Sequence, residues 1–385
     1  MTGAELTARA RTLLGELIAF DTTSRNSNLD FIHHVETYLA DLDIKSTRIA
    51  SRDGRKANLY ASIGPNVPGG VILSGHTDVV PVDGQPWTSD PFTMTARGDR
   101  LFGRGTCDMK GFLALMLAAA PAFAKGRFTH PVHFAFSYDE EIGCLGAPDM
   151  IAEMAKHLPA PRCAIIGEPT SMRVVTGHKG VYSYRVEITG REWHSSAPDR
   201  GASAIMAALP LLGDLAALAT HLESRPDPAF DPPHATLTVG MIEGGTAANI
   251  LARKCGFTFD FRAPPGIDPD AELAHFAETV AALDTRLKSR FSGAGATFTR
   301  LSSAPPCRLE SADAADFVRR LAGDNGQPRT VAYGTEAGQF QQAGFPVVIC
   351  GPGSIDQAHQ PDEYLDIAQL ERGATFMTRL MEALS

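Results

Sequence analysis

The chain has 385 residues, of which 44% are hydrophobic and 21% are charged, values typical of globular proteins. Its 35 Lys and Arg residues and 44 Asp and Glu residues give a formal net charge of −9. An acidic chain does not attract nucleic acid or anionic membranes, so we expect neither as a partner. The apolar run 112–124 is short and contains Pro121, and the N-terminus does not resemble a signal peptide, so we also expect a cytoplasmic protein.

Helices and strands are predicted to alternate along the first part of the chain. The spacing of apolar residues predicts, in order, helices 6–20 and 31–42, strands 58–63 and 71–74, helix 109–125, strand 132–137, helix 147–157 and strand 162–166. This alternation is typical of a sheet covered by helices on both faces, which is an α/β domain.

The middle of the chain follows a different order. Its predicted elements are strand 181–188, helix 202–222, strands 235–243 and 254–262, helix 270–289 and strand 296–301. This β-α-β-β-α-β order is that of a ferredoxin-like α+β domain. The first pattern then returns with helix 312–323, strand 346–350 and helix 366–384. We therefore predict an α/β catalytic domain with a mixed sheet flanked by helices, 1–177 and 302–385, interrupted by an inserted domain, 178–301.

Polar motifs follow the predicted strands of the α/β domain or lie just beyond them. They are SGHTDVVP from residue 74, GRGTCDMKG from 103, SYDEEIGCLG from 137, GEPT from 167 and GPGSIDQAHQPDEYL from 351. Any one of them alone is typical of a capped turn or a solvated surface. Because ligands bind at the carboxyl ends of strands in open α/β sheets, five such motifs in one domain indicate a shared site.

The motifs bring together imidazoles and carboxylates. The candidate side chains are His76, Asp78, Asp108, Asp139, Glu140, Glu141, Glu168 and His359. Nitrogen and oxygen ligands of this kind suit Zn, Co or Mn. So many carboxylates in one crevice would repel one another unless cations neutralised them. We therefore predict a site for two divalent metal ions that share one bridging carboxylate.

Two short spacings within these motifs predict specific roles. A metal-bound imidazole usually donates its other N–H to a carboxylate, so Asp78 is expected to orient His76. Adjacent carboxylates can face different ways. One member of the Glu140-Glu141 pair is therefore expected to bind metal while the other acts as a general base toward water.

The order HTDVVP, GRGTCDMKG, DEEIG, GEPT and AHQPDEY resembles the dinuclear-zinc amidohydrolases, a family that includes acetylornithine deacetylase, succinyl-diaminopimelate desuccinylase and aminoacylase. The resemblance covers nearly the whole chain. The motifs most similar to the acetylornithine deacetylase branch are GRGTCDMKG, EEIGCLGA, GEPTSM, HKG and GPGSIDQAHQPDEYL. It implies two divalent ions, zinc first, with cobalt or manganese as alternatives. The implied reaction is hydrolysis of N-acetyl-L-ornithine to L-ornithine and acetate in arginine biosynthesis. The alternatives are the same chemistry on N-succinyl-diaminopimelate or another N-acyl amino acid, or a non-catalytic metal-binding relative.

The resemblance also implies a role for each candidate residue of the α/β domain. Glu140 would be the general base and acid, and a cis peptide is expected after the bridging aspartate. The implied metal ligands are Asp108, shared by both ions, with His76 and Glu168 at one ion and Glu141 and His359 at the other.

The inserted domain is implied to form a homodimer and to carry a catalytic histidine. The sequence alone predicts that His194, in GREWHSSAP, is an exposed loop residue. By resemblance, it would reach the active site of the partner subunit and stabilise the tetrahedral oxyanion.

Substrate contacts are implied for five residues: Asn249, Arg262, Thr335, Gly351 and Gly353. Arg262 could pair with the α-carboxylate of an N-acyl amino acid, or it could be a surface charge at a strand end. Glu336, beside Thr335, could face a cationic substrate side chain.

Overall fold

The structure is a computed structural model that describes residues 2–308 and 312–385. The chain divides into two compact units. The first comprises Met1–Gly177, Cys307–Thr330 and Thr335–Ser385, and the second comprises His178–Pro306 and Val331–Gly334. Each unit has its own hydrophobic core.

The elements alternate between helix and strand up to the start of the second unit. They are α1 (Gly3–Ile18), α2 (Leu29–Ala40), β1 (Ser46–Ala50), β2 (Ala57–Ile63), β3 (Val71–His76), β4 (Thr95–Arg97), β5 (Arg100–Phe102), α3 (Gly111–Lys125), β6 (Val132–Ser137), α4 (Ala147–His157), β7 (Cys163–Pro169) and β8 (Val175–His178).

The second unit and the return to the first follow in chain order. The second unit contains β9 (Gly180–Thr189), α5 (Ala204–Leu222), β10 (Thr236–Gly244), β11 (Lys254–Ala263), α6 (Pro269–Glu272), α7 (Ala274–Arg290) and β12 (Gly295–Ala304). The remaining elements are β13 (Cys307–Arg308), α8 (Ala312–Ala322), β14 (Arg329–Val331), α9 (Ala337–Gln342), β15 (Val347–Gly351), β16 (Tyr364–Asp366) and α10 (Ile367–Leu384).

The large sheet of the first unit has the strand order β1-β2-β6-β3-β7-β15-β8-β13, with β14 beside β8. Strands β6, β3, β7 and β15 run parallel, whereas β1, β2 and β8 pair in antiparallel fashion with their neighbours. Strands β3, β6 and β7 are buried along their whole length, which explains their near-continuous apolar sequences. Their carboxyl ends meet at one edge, where His76 lies opposite Ser137.

The second unit is a four-stranded antiparallel sheet of order β10-β11-β9-β12. Burial alternates along β9 and β11, because one face packs against α5 and α7. The mixed sheet of the first unit and the β-α-β-β-α-β order of the second confirm the predicted fold class.

Differences from the predicted elements have local causes. Strand β1 was missed because its side chains are mostly exposed, so it lacks an apolar alternation. The helix predicted from residue 109 begins at Gly111, since Asp108 and Met109 have non-helical backbone angles. Helix α9 has only six residues, too few for a recognisable periodic pattern.

Two helical segments of the described chain, Thr106–Lys125 and Ala204–Leu222, are long and apolar enough to cross a membrane by length and composition alone. The apolar run that was predicted to be too short lies within the first of them. Of the most apolar window in that segment, 89% is buried inside the protein, against 22% for the second segment. The first segment is therefore placed as the central core helix of its unit.

Candidate metal centre

The end of β3 carries one buried group of possible metal ligands. His76 Nε2 lies 3.0 Å from Asp108 Oδ1 and 3.9 Å from Glu168 Oε1. All three side chains are buried, and one ligand atom from each lies within 4.8 Å of the others. Glu168 belongs to β7, the strand next to β3, so the sheet itself brings the two residues together.

A second group shares Asp108 with the first. His359 Nε2 lies 3.4 Å from Asp108 Oδ2 and 3.0 Å from Glu141 Oε2. Because Asp108 presents Oδ1 to one group and Oδ2 to the other, its carboxylate has the arrangement of a bridging ligand. His359 is 48% exposed, so the second group opens toward the surface of its unit.

The donor atoms fit a pair of cations. Glu168 Oε1 is buried and forms no hydrogen bond with any residue in the described part of the chain. Burial raises the pKa of Glu168 well above its usual value, and the charges of Asp108 and Glu140 add to that rise. An unpartnered carboxylate oxygen at such a position is costly, and a divalent ion would satisfy it.

Burial and mutual contacts also shift the pKa values of the other ionisable groups in the two ligand groups and of Glu140. Burial raises the pKa of Glu140 to about 8 and that of Glu141 to about 7, with Asp108 contributing to both shifts. Hydrogen bonds with Asp108 and Glu141 raise the pKa of His359 to about 10. Burial alone would raise the pKa of Asp108, but its hydrogen bonds with His359 and His76 hold it below the usual range. Such concentrated carboxylate charge is typical of functional sites.

Asp78 contacts this cluster differently from the prediction. His76 Nδ1 lies 2.9 Å from the backbone oxygen of Asp78 and 3.7 Å from its Oδ1. A carbonyl oxygen can only accept, so Nδ1 carries the proton and Nε2 of the neutral ring is free to bind a metal ion. Asp78 thus orients His76 through its backbone. Its carboxylate accepts the backbone N–H groups of Glu140 and Glu141 at 3.1 and 3.2 Å.

Glu140 lies in the loop between β6 and α4, and its side chain belongs to neither ligand group. Its Oε1 accepts a hydrogen bond from the Cys144 thiol at 3.3 Å. The loop also holds Glu141, whose side chain joins the second group. Adjacent residues therefore face different partners, an arrangement in which one carboxylate can bind metal while the other remains available to move protons.

Asp108 lies on an irregular turn, Thr106–Lys110, that precedes α3. The peptide bond between Asp108 and Met109 is cis, as the family resemblance implied. The turn lies at the edge of the sheet, where Asp108 Oδ1 is 3.0 Å from His76 Nε2.

The residues predicted in the inserted domain lie in the second unit. His194 and Asn249 are both exposed, and their segments lie side by side. The Ser195 N–H donates to the Asn249 carbonyl oxygen at 2.9 Å and so links the two segments. The backbone N–H of Ser196 donates to His194 Nδ1 at 3.2 Å, so the neutral ring carries its proton on Nε2. Arg262 Nε donates to Asp260 Oδ2 at 2.9 Å.

Three predicted substrate contacts also have packing roles. Thr335 is buried and accepts the Ala337 N–H at 3.0 Å. A Cβ on Gly351 would lie 2.0 Å from the Gly167 oxygen, and one on Gly353 would lie 2.5 Å from Cys107 Sγ. Gly351 therefore needs glycine for close backbone packing, and Gly353 has a positive φ of 85° that favours glycine. The contact of these residues with substrate stays a prediction.

The suggested contact between Glu336 and a cationic substrate is wrong. The Glu336 side chain is fully buried and accepts hydrogen bonds from the hydroxyls of Ser74 and Ser137. It therefore joins the neighbouring strands β3 and β6 from within the core.

Sequence reasoning missed the buried ion pair between Arg104 and Glu363, which lies next to Asp108. Both residues stand within the motifs that supplied ligands, four positions from Asp108 and His359 respectively. The available signal was a charged residue four positions from a predicted ligand in each of the two motifs.

Comparison with known proteins agrees with this geometry. Residues 72–383 match the model of peptidase family M20/M25/M40. An acetylornithine deacetylase of Proteus mirabilis is 38% identical over 373 residues, which cover 94% of this chain and 92% of that protein. An acetylornithine deacetylase of Myxococcus xanthus is 36% identical and covers 96% of each chain.

Solved structures show the same fold. An M20 family metallo-carboxypeptidase of Sulfolobus solfataricus superposes with a TM-score of 0.78 at 18% identity, covering 97% of this chain and 98% of that one. A dinuclear metal binding peptidase of the M20 family from Bacillus subtilis gives a TM-score of 0.64 at 17% identity, covering 98% of each chain. With two ligand groups that share Asp108, and with sequence similarity over nearly its whole length, the chain belongs to peptidase family M20/M25/M40 and is a metal-dependent amidohydrolase.

Proposed function

We propose that this amidohydrolase removes the acetyl group from N-acetyl-L-ornithine and releases L-ornithine and acetate, a step of arginine biosynthesis. The observation that carries the proposed chemistry is the position of Glu140, which lies beside two ligand groups that share Asp108 and belongs to neither. The choice of substrate is supported by the similarity to acetylornithine deacetylases at 36–38% identity. We also propose a cytoplasmic location and zinc as the metal, with cobalt or manganese as alternatives.

The metal ligands would be His76, Asp108 and Glu168 at one ion, and Asp108, Glu141 and His359 at the other. When bound, two divalent ions supply Lewis acidity toward the amide carbonyl and lower the pKa of water. Their positive charge would also favour ionised Glu140, whose pKa burial otherwise raises to about 8.

Proton movement is assigned to Glu140. Its carboxylate takes one proton from the attacking water and passes it to the departing α-nitrogen, which leaves as the neutral amine together with acetic acid. The proton of the acid then passes to the amine or to solvent, which gives acetate and the α-ammonium group. The Cys144 thiol donates to Oε1, so Oε2 is the oxygen not engaged by that thiol. Asp78 keeps the loop in place through the Glu140 N–H.

His194 is proposed to stabilise the oxyanion of the tetrahedral intermediate in the site of the partner subunit. The Ser196 N–H occupies Nδ1, so the exposed Nε2–H is the donor that the ring can offer. The second unit also provides a surface for a homodimer. Strand β10 is a sheet edge, and the exposed apolar side chains on it and on α5 are Ile205, Met206, Leu209, Met241 and Ile242.

Mixing two inactive variants tests this arrangement. His194→Ala and Glu140→Gln each remove one group, so a mixed dimer contains one site with both groups intact. We expect activity to return when the variants are unfolded and refolded together, because one chain supplies Glu140 and its partner supplies His194. Each variant refolded alone is the control. If the mixture stays as inactive as the separate variants, His194 does not act across a dimer.

A substrate comparison tests the proposed function itself. We expect kcat/KM for N-acetyl-L-ornithine to exceed that for N-succinyl-diaminopimelate and N-acetylmethionine by at least about 10-fold. The succinyl group differs from acetyl in size and charge, and the methionine side chain lacks the positive charge of ornithine. Preference for the succinyl substrate or for N-acetylmethionine would favour the respective alternative. Two bound ions without turnover of any of the three would favour a non-catalytic metal-binding protein.

Substrate orientation is assigned to Arg262 and Asn249, with Thr335, Gly351 and Gly353 as further contacts. The Arg262 guanidinium already pairs with Asp260, so a substrate carboxylate would bind through the remaining N–H groups.

A further inference from the structure

The carboxylate of Glu363 accepts hydrogen bonds from several backbone N–H groups at and next to the shared ligand Asp108. Its Oε1 accepts the N–H groups of Cys107 and Asp108 at 2.8 and 3.0 Å. Its Oε2 accepts the N–H of Gly105 at 3.0 Å. The amides of Cys107 and Asp108 belong to the irregular turn that carries Asp108, the amide of Gly105 directly precedes it, and all three converge on one buried side chain. A carboxylate is the group that such converging N–H donors favour.

The charge of this carboxylate is balanced within the protein. Arg104 Nη1 donates to Glu363 Oε2 at 2.7 Å, and the two side chains are 1% and 0% exposed. Four donors therefore surround the two carboxylate oxygens. Removal of either partner would leave the other charge buried and unpaired.

The same network reaches the second ligand group from another direction. Arg104 Nη2 donates to Gln85 Oε1 at 2.6 Å, and Gln85 Nε2 donates to the backbone oxygen of His359 at 3.0 Å. His359 has a positive φ of 61°, a conformation that is unusual for a residue other than glycine. One chain of hydrogen bonds thus links the backbone of Asp108 to the backbone of His359.

We infer that Glu363 is a positioning residue that holds Asp108 and His359 in ligand geometry before metal ions bind. It contacts the backbone of Asp108 and of its neighbours and the side chain of Arg104, but no ligand atom, so it acts on the position of the ligands. A ligand loop that is already in place loses less conformational freedom on binding. This inference rests on the metal centre proposed above.

Metal affinity separates this role from simple stabilisation of the fold. Glu363→Gln keeps the size of the side chain but replaces one accepting oxygen with an amide that cannot accept. We expect zinc to bind about 10- to 100-fold more weakly, the usual effect of losing a group that supports a ligand. The measurement is titration of metal-free protein with zinc in competition with a chromophoric chelator.

Asp324→Asn is the matched control. Asp324 also accepts two backbone N–H groups, from Val174 and Gly326, both at 2.9 Å, and it lies in the same unit. Its partners are not next to any proposed ligand, so this variant should lose stability and keep wild-type affinity for zinc. Glu363→Gln with wild-type affinity would overturn the inference and leave only a structural ion pair.

Gln85→Met provides a second test that does not depend on a buried charge. Gln85 is partly exposed, and the change removes the link from Arg104 to His359 together with the acceptor of the Trp87 Nε1 hydrogen bond. We expect weaker binding of one of two cobalt ions and an altered cobalt absorption spectrum, because His359 belongs to one ligand group. If Glu363→Gln fails to fold, unchanged cobalt binding by Gln85→Met overturns the inference. If the wild-type protein binds no metal, the proposed metal centre itself is wrong.

Discussion

Replacement of Glu140 by Gln is expected to lower kcat by about 10²- to 10⁴-fold while both metal ions stay bound. Glutamine has the size of glutamate but cannot accept the proton of an attacking water molecule. Its carbonyl oxygen can still accept the Cys144 thiol, and the backbone contact with Asp78 is unchanged. The measurements are kcat on N-acetyl-L-ornithine and metal content by elemental analysis.

An exposed glutamate supplies the control for this experiment. Glu153 lies on α4 and pairs with Lys156 at the surface, so Glu153→Gln should keep the wild-type rate. A Glu140→Gln variant that turns over substrate at near wild-type rate would show that another group moves the proton. A variant that loses metal would show that Glu140 is a ligand.

Removal of the metal ions is expected to abolish turnover and to make the stability of the protein fall as pH rises. In the metal-free protein, burial raises the pKa of Glu140 to about 8 and that of Glu141 to about 7, against 4.5 as the ordinary value. The folded state therefore keeps protons that the unfolded chain has already released. This stability is present below about pH 4.5 and is lost as pH rises through about 7 and 8.

Urea unfolding of metal-free and metal-loaded protein between about pH 5 and 8 measures this effect. In the loaded protein, divalent charge replaces the protons, so the difference in unfolding free energy between the two forms should grow with pH. Asp108→Asn removes the shared ligand and should resemble the metal-free protein even when metal is added. A constant difference across this pH range would contradict a carboxylate cluster that relies on cations.

Much of the site could be predicted because its residues stand next to elements with strong local signals. Strands β3, β6 and β7 are buried on both faces, so their sequences are continuous apolar runs that end abruptly. His76 ends the first run, Glu168 lies near the end of the third, and the Glu140-Glu141 pair follows the second. Parallel packing then brings these ends to one edge of the sheet.

The sequence by itself determined which residue types carry the chemistry and which strands deliver them, because apolar periodicity and strand ends are local properties. Only the tertiary structure decided which groups these side chains bind through hydrogen bonds. The Asp78 carboxylate binds the backbone of the Glu140 loop, although the spacing suggested that it faces His76. Glu363 meets the Asp108 turn from 255 positions away. Hydrogen-bond partners so distant in sequence are set by how the elements pack, and a local pattern carries no information about that packing.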